Sequence, residues 1–434
     1  MSVSLETGYR PATSAIDSQT YRTIALRILP LLFVCYAFAF LDRVNIGFAK
    51  LQMQADLQFS EAVFGLGASI FFLPYFFLEI PSNLAMRRYG ARRWFARIMA
   101  TWGILSAATA FVTTPTQFYV VRFLLGAAEA GFFPGVLLYL TYWFPARERG
   151  RAISLFMTAL PFSVLVGGPL SGWVLQLTSG SDLLRGWQWM FLIEGLPSVL
   201  LAVLCWFYLD DTVDDAKWLT TEQKSALKAN LGGEERQADA HRFGNAARDP
   251  KIWLVALTNF TVLCSIVVTL WLPSLYKKAG VASAVEIGWM TAVPFGIAIV
   301  AMVLIARSSD RTGERRWHTA LPAFTAAIGC LLMIGSLEDP NLLLASSTLT
   351  VASYLALNVT LWTLPTTFLT GGAAVIGIAF INAVGQLGGL VSPVAFGWLF
   401  DWTGAPNLAL TCLAALYVVG GLSALLIPKA AVNR

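Results

Sequence analysis

The heptapeptide RYGARRW, residues 88–94, returns as RTGERRW at residues 311–317, a constant offset of 223 with five of seven positions identical. Each copy follows the second long apolar segment of its half of the chain, so the repeat predicts two homologous units. A fainter echo pairs GGPLSGW (167–173) with VSPVAFGW (391–398), in the fifth apolar segment of each half. Gly and Pro at such places let helices approach closely and bend, which a rocking interface requires.

Apolar segments long enough to cross about 30 Å of hydrocarbon recur near residues 24–48, 61–85, 94–114, 116–144, 152–178, 187–209, 251–276, 285–306, 318–336, 340–366, 373–399 and 404–427. They predict an all-α membrane protein of twelve transmembrane helices in two pseudo-symmetric six-helix halves. Composition agrees: 57% of the 434 residues are hydrophobic and 13% charged, against roughly 25% charged in soluble domains. The expected division is a tail at 1–23, a first bundle at 24–209, a linker at 210–250, a second bundle at 251–427 and a tail at 428–434. The linker is polar and reads as a solvated tether with one short helix from Thr221 to Leu231, Thr221 serving as N-cap. Residues 1–23 are polar, so no cleavable signal is expected there.

Of the 30 Lys and Arg residues, 24 fall on the side of the termini, whereas Lys50, Arg185, Lys277 and Lys278 fall opposite. The excess of positive charge predicts cytoplasmic termini and a multi-pass protein of the cell (inner or plasma) membrane. The net charge of +5 then reflects topology, and nucleic acid is not an expected partner. Five cysteines are scattered one per apolar segment without CxxC spacing, as small buried hydrophobes would be. His241 and His318 stand where neither serves a catalytic triad or a zinc site in the bilayer. No metal, cofactor or enzymatic activity is expected.

Charge inside the apolar segments carries the functional signal. CYAFAFLDRVNIGFA (35–49) holds Asp42 and Arg43, and VVRFLLGAAEAGFFPG (120–135) holds Arg122 and Glu129. A charge at mid-bilayer costs on the order of 2.5 to 3.5 kcal/mol on insertion scales, so four of them in two helices mark a proton or ion path. Arg122 and Glu129 are two helical turns apart and project from one face. Small residues around Glu129 allow close helix approach. Asp42 and Arg43 point about 100° apart, which lets Arg43 face cargo while Asp42 faces the fourth segment. An Arg can grip a carboxylate bidentately, as Lys does less well. Desolvation favours a neutral carboxyl and a neighbouring Arg a charged one, so an anion competing for that Arg promotes protonation of the acid.

Twelve spans, paired basic turns, a polar linker and PARERGR after the fourth span resemble the major facilitator superfamily, over residues 22 to 427. More narrowly, FLDRVNIGFA, FFLEIPSN, GARRWFARIMATWG, RFLLGAAEAGFFPG, SDRTGERRWH and INAVGQLGG resemble the anion:cation symporter family, nearest its permeases for tartrate, 4-hydroxyphenylacetate and phthalate. The resemblance implies proton coupling at Asp42 and Glu129, and substrate binding and coupling at Arg43 and Arg122. It also places Tyr75 at the family's cavity tyrosine. One departure is IPSNLAMRRYG, which lacks the usual acidic residue of that turn, whereas the second half keeps Asp310. A gate charge-paired on the Asp310 side alone is therefore expected, drawing on Arg88, Gly90, Arg92, Arg311, Gly313 and Arg315, with Glu79 supporting it. Asn382 and Gln386, one turn apart, and Trp362 are expected to line the second half of the cavity; Glu194 is read as structural.

The expected function is proton-driven import of a small organic anion, a mono- or dicarboxylate, by a monomeric transporter in the lipid bilayer. An exchanger or uniporter on the same fold is the alternative, and a sensor or membrane enzyme a more distant one. The 29 Phe and 15 Trp do not separate a hydroxy or sugar acid from an aromatic acid as cargo, since lipid-facing positions consume aromatics too.

Overall fold

The computed structural model describes residues 18–235, 249–369 and 371–433, and the described residues are helical with short connections. Among the described residues, ten helices are long and apolar enough to cross a membrane. They are span 1 (Gln19–Leu57), span 4 (Pro115–Thr141), span 5 (Glu148–Leu177), span 6 (Gly186–Tyr208), span 7 (Pro250–Lys278), span 8 (Ala284–Thr312), span 9 (Arg316–Gly335), span 10 (Pro340–Phe368), span 11 (Gly377–Thr403) and span 12 (Asn407–Leu426). Span 2 is a pair, Glu61–Tyr75 and Phe77–Tyr89, bent by 44°.

Span 3, Ala91–Ala108, carries Arg92, Arg93 and Arg97 in its first two turns and so falls short on apolarity. It nevertheless lies antiparallel along the whole of span 6. The Arg92 amide donates to Asp211 just beyond span 6, and at the other end Gln188 donates to the Ala110 carbonyl. Midway, a Cβ on Gly103 would stand 2.9 Å from the Val199 nitrogen. A helix paired from end to end with a spanning helix crosses the same layer, which brings the passes to twelve.

Many spans start from sequence signals that terminate the helix cleanly. Thr114, Asp249 and Asp339 each accept from a backbone amide of the first turn and precede a proline, whose missing N–H would have been unpaired there. Outward faces are large and apolar: Leu200 and Phe207 of span 6 are 68% and 78% exposed, while Gly195, Ser198 and Cys205 of the same helix are buried. Exposure on that scale is a lipid-facing surface.

The two halves meet along spans 5 and 8 and along spans 2 and 11. Both seams close on glycine, toward the face opposite the termini. A Cβ on Gly172 would stand 2.3 Å from the Ala284 carbonyl oxygen, and one on Gly288 2.4 Å from that of Gly168. Across the second seam, a Cβ on Gly65 would stand 2.2 Å from the Pro393 carbonyl oxygen, and one on Gly397 2.3 Å from that of Glu61. The weak echo in the sequence is thus the pair of inter-half contacts, one per half. The strong repeat is a turn: Gly90 and Gly313 both adopt positive φ, +87° and +65°, a conformation that excludes most side chains.

The linker differs from a solvated tether. Trp218 stacks on Trp143 at 5.7 Å and donates to Asp210, and Val213, Ala216, Leu219 and Leu227 are buried against the first half. Its helix runs Thr221–Glu235, longer than expected, and Thr220 is the cap. The Thr220 hydroxyl accepts from the Gln223 amide while the Gln223 side chain accepts from the Thr220 amide, a capping box that outcompetes Thr221. His241 lies outside the described residues. Four cysteines are buried and Cys412 is exposed on an apolar face; Cys35 and Cys205 stand 3.7 Å apart, sulfur to sulfur.

Candidate functional site

Span 4 breaks where its acid sits. Helix Pro115–Glu129 ends at Glu129, Gly131 takes φ +90°, and a second helix, Phe132–Thr141, follows. Glycine is required at 131, since a Cβ there would overlap the Ser82 hydroxyl. Glu129 is left at a helix C-terminus, an unfavourable end for a negative charge. Arg43 of span 1 compensates: its Nη2 donates to Glu129 in an ion pair and to the Tyr75 hydroxyl at 2.8 Å. Glu129 is buried, whereas the Arg43 side chain keeps 17% of its surface open.

The opening belongs to a cavity of about 190 Å³ between the halves. Arg43, Tyr36, Tyr75 and Glu79 are the polar residues of its first-half wall, set among aromatic and aliphatic side chains, with Glu129 directly behind. The second half contributes Asn259, Asn358, Trp362, Asn382 and Gln386, with the Thr269 and Tyr354 hydroxyls, which hydrogen-bond each other at 3.2 Å. Most of these residues lie between mid-span and the face of the termini, so the cavity extends toward that face.

The remaining intramembrane charges stand off the cavity. Arg122 is buried; its Nε donates to the Gly67 carbonyl at 3.2 Å and its guanidinium lies 4.8 Å from the Phe71 ring centre. The Arg43 guanidinium lies 5.2 Å from the same ring, so Phe71 separates two cations. Asp42 does not face span 4. It is buried, accepting from Ser106 of span 3 at 2.8 Å and from Asn45 at 3.3 Å. Along span 1 the rotation from Arg43 to Asp42 carries the acid past span 4 and toward spans 3 and 6.

The predicted gate residues hold turns within each half. The Asp211 carboxylate occupies the place a Cβ on Gly90 would take and accepts from the Arg92 amide at 2.8 Å. The Arg92 guanidinium lies 5.7 Å from the Trp206 ring, and Arg88 is exposed beside Tyr89. Asp310 pairs with Arg315 at 2.7 Å inside its own turn and not across the halves; Arg311 is exposed. Gly313 ends span 8, and Asn433 accepts from the Arg315 amide at 2.9 Å. His318 faces Glu314 at 3.2 Å. Partial burial pushes the Glu314 carboxyl up, but N–H donors from Trp317, Asn433 and His318 outweigh it and hold the group below the usual range.

Sequence reasoning missed a buried cluster on the face opposite the termini, where Lys50 is counted only as one of four basic residues on that side. Lys50 forms an ion pair with Glu61, which also accepts from Trp271 of the second half at 2.7 Å. Asp401, at the end of span 11, accepts from the Glu61 and Ala62 amides at the start of span 2. The signal was available: Glu61 follows Ser60 as an N-terminal acid, and Lys50 is one helical face away from Asp42. Asn259 and Asn358 were also passed over, although amides in apolar spans are the same signal as Asn382.

The model of the Major Facilitator Superfamily matches residues 32–393. Among curated proteins, the chain is 44% identical to the "Putative tartrate transporter" of Agrobacterium vitis, covering 97% of this chain and 95% of that one. It is 43% identical to the "Putative metabolite transport protein NicT" of Pseudomonas putida, covering 97% and 98%. Among solved structures it resembles the xylose transporter XylE from E. coli in a partially occluded inward open conformation, with TM-score 0.74, 15% identity and coverage of 95% and 98%. These relatives agree with the anion:cation symporter branch. The chain therefore belongs to the major facilitator superfamily and is a multi-pass membrane transporter, not an enzyme.

Proposed function

We propose that the protein is a proton-coupled symporter that imports a small organic anion, a mono- or dicarboxylate, across the inner membrane with both termini cytoplasmic. One observation carries the reading: the cation on the cavity wall, Arg43, is already held by a protein carboxylate, Glu129. A cargo carboxylate entering the cavity competes for that guanidinium. The released Glu129, buried without its cation, favours its protonated form. Anion and proton then load together, and alternating access moves both around a fixed mid-membrane site. The neutral amides opposite suit the polar remainder of an acid bearing hydroxyl or further carboxyl groups. The tartrate name of one relative agrees with such a cargo.

The test is reconstitution of the full chain in liposomes with radiolabelled L-tartrate as first probe and a panel of other carboxylates behind it. Accumulation against a gradient is expected only when the proton gradient points the same way. Glu129→Gln is expected to abolish accumulation yet leave counterflow. Accumulation by Glu129→Gln, or none by the wild type for any carboxylate, overturns the reading.

A further inference from the structure

Behind the cavity, the first half contains a second set of buried acid groups. Asp42 of span 1 and Glu194 of span 6 are each 1% exposed, and among the described residues neither is in an ion pair. Ser106 and Asn45 donate to one oxygen of Asp42; Ser171 of span 5 donates to one oxygen of Glu194 at 2.7 Å. The Asn45 amide also faces Glu194. Three acceptors in this knot lack a donor at hydrogen-bond geometry, namely the second oxygen of Asp42, the second oxygen of Glu194 and the Asn45 carbonyl oxygen, while the Trp102 indole N–H, itself unpartnered, faces Asp42. The charged groups facing Asp42 from other elements are Glu194, Glu129 and Arg122. Span 3 presents Ser106 and Trp102, and span 5 presents Ser171.

Unpaired buried acceptors are costly, at about 1 to 3 kcal/mol each, and two neighbouring carboxylates, neither in an ion pair and with Arg122 facing only Asp42 of the two and not in contact with it, resist both staying charged in a low-dielectric interior. A single proton on either carboxyl removes one of the two charges and settles two of the three orphaned oxygens, one becoming an O–H donor and the other, on Asn45 or the second acid, accepting from it. We propose that Asp42 and Glu194 form one occluded proton-binding pair, bridged by Asn45 and separate from the cargo cavity. No bond but O–H is made or broken; the proton comes from water and returns to it. The pair deepens the symport reading, on which its use in transport rests: while it is protonated on Asp42, the negative charge that faces Glu129 from behind is removed.

The test needs no cargo. Purified full-length protein in nanodiscs is titrated with acid and base while the carbonyl-stretch absorption of protonated carboxylic acids is followed by infrared spectroscopy. Glu194→Gln and Asp42→Asn are each expected to remove the same band, the double variant is expected to remove no more than either, and Glu129→Gln is expected to leave that band in place. Ser171→Ala keeps both acids and is expected to shift the band without removing it, which guards against misfolding of the acid variants. If Glu194→Gln leaves every band of the wild type intact, or the two losses add as independent groups, the pair is overturned. Failure of symport is read separately, as loss of proton-driven tartrate accumulation in the wild type. For the transport role, Glu194→Gln is expected to move the pH midpoint of tartrate counterflow by about one unit, with affinity at the optimum unchanged. An unmoved midpoint overturns that role.

Discussion

The first half meets the cavity with a guanidinium, two phenols and a carboxyl, Arg43, Tyr36, Tyr75 and Glu79, and with Glu129 pressed behind them. The second half meets it with Asn259, Asn358, Asn382, Gln386 and three hydroxyls, those of Ser265, Thr269 and Tyr354, none of them charged. Yet the halves repeat each other at their basic turns and at their glycine seams. What stayed alike in the two halves are the basic turns and the close packing between the halves, whereas the cavity walls differ. One wall carries charge; the other offers neutral donors and acceptors.

The contrast predicts unequal penalties. Arg43→Ala leaves Glu129 buried without its cation, and breaking a buried charge pair costs about 3 to 5 kcal/mol, so cargo affinity is expected to fall by two orders of magnitude or more. Arg43→Lys is expected to recover only part of this, since a single ammonium cannot serve Glu129, Tyr75 and a carboxylate with the geometry of the fork. Binding isotherms of both variants against a carboxylate decide the matter; an unchanged affinity in Arg43→Lys breaks the assignment of charge recognition to the first half. On the other wall, Asn382→Ala and Gln386→Ala each remove neutral hydrogen bonds worth about 0.5 to 1.5 kcal/mol. Their expected losses are at most about tenfold and vary with the cargo's hydroxyl pattern. A loss as large as that of Arg43→Ala would abolish the distinction between walls.

The turns provide the smallest effect. Asp211 holds the Gly90 turn, whereas Glu314 and Asn433 hold the Gly313 turn. Because the folded value of Glu314 lies below its ordinary one, near 4.3, its contribution is complete above that value and fades as pH falls through the lower folded value. Amide exchange at Trp317 and His318, taken relative to the intrinsic rate at each pH, is therefore expected to stay slow at neutral pH and to quicken under strong acid. Glu314→Gln is expected to quicken it at neutral pH, by less than tenfold for so exposed a site.

The sequence made the span architecture readable because charge is rare in lipid: a single Asp-Arg pair at 42–43 stands out against its surroundings, and a seven-residue repeat exposes the internal symmetry. It did not reveal which neighbour each charge chooses. Asp42 and Arg43 are adjacent in the chain but serve different spans, because one residue of rotation on span 1 separates the cavity from the interior of the bundle. The Thr220 capping box lay one residue from the expected cap, within the error inherent in reading helix ends from pattern. Glu194 looked structural because its partners, Asn45 and Ser171, come from two other helices whose registers the sequence alone cannot fix. Glu61 looked like a helix start, and its tie to Trp271 spans 210 residues.

The cluster around Lys50 bears on the speed of the transport cycle. Lys50 and Glu61 belong to the same half, so when the opposite face opens the ion pair travels as a unit. Among the contacts that must part are several with one charged partner, none of which joins two opposite charges: the Trp271 indole N–H on Glu61, the Lys50 ammonium over the Trp271 ring, the Lys277 ammonium on the Leu51 carbonyl, and Asp401 on the first amides of span 2. Such bonds exchange with water at a net cost near 1 kcal/mol each when neutral and about 1.5 to 3 when one partner is charged. Severing a buried ion pair would impose several kcal/mol at every turnover, a slowing of the order of a hundredfold or more. By keeping opposite charges on one rigid body and placing the fracture line between them and the other half, the protein seals its closed face without adding the cost of a severed ion pair to each reopening.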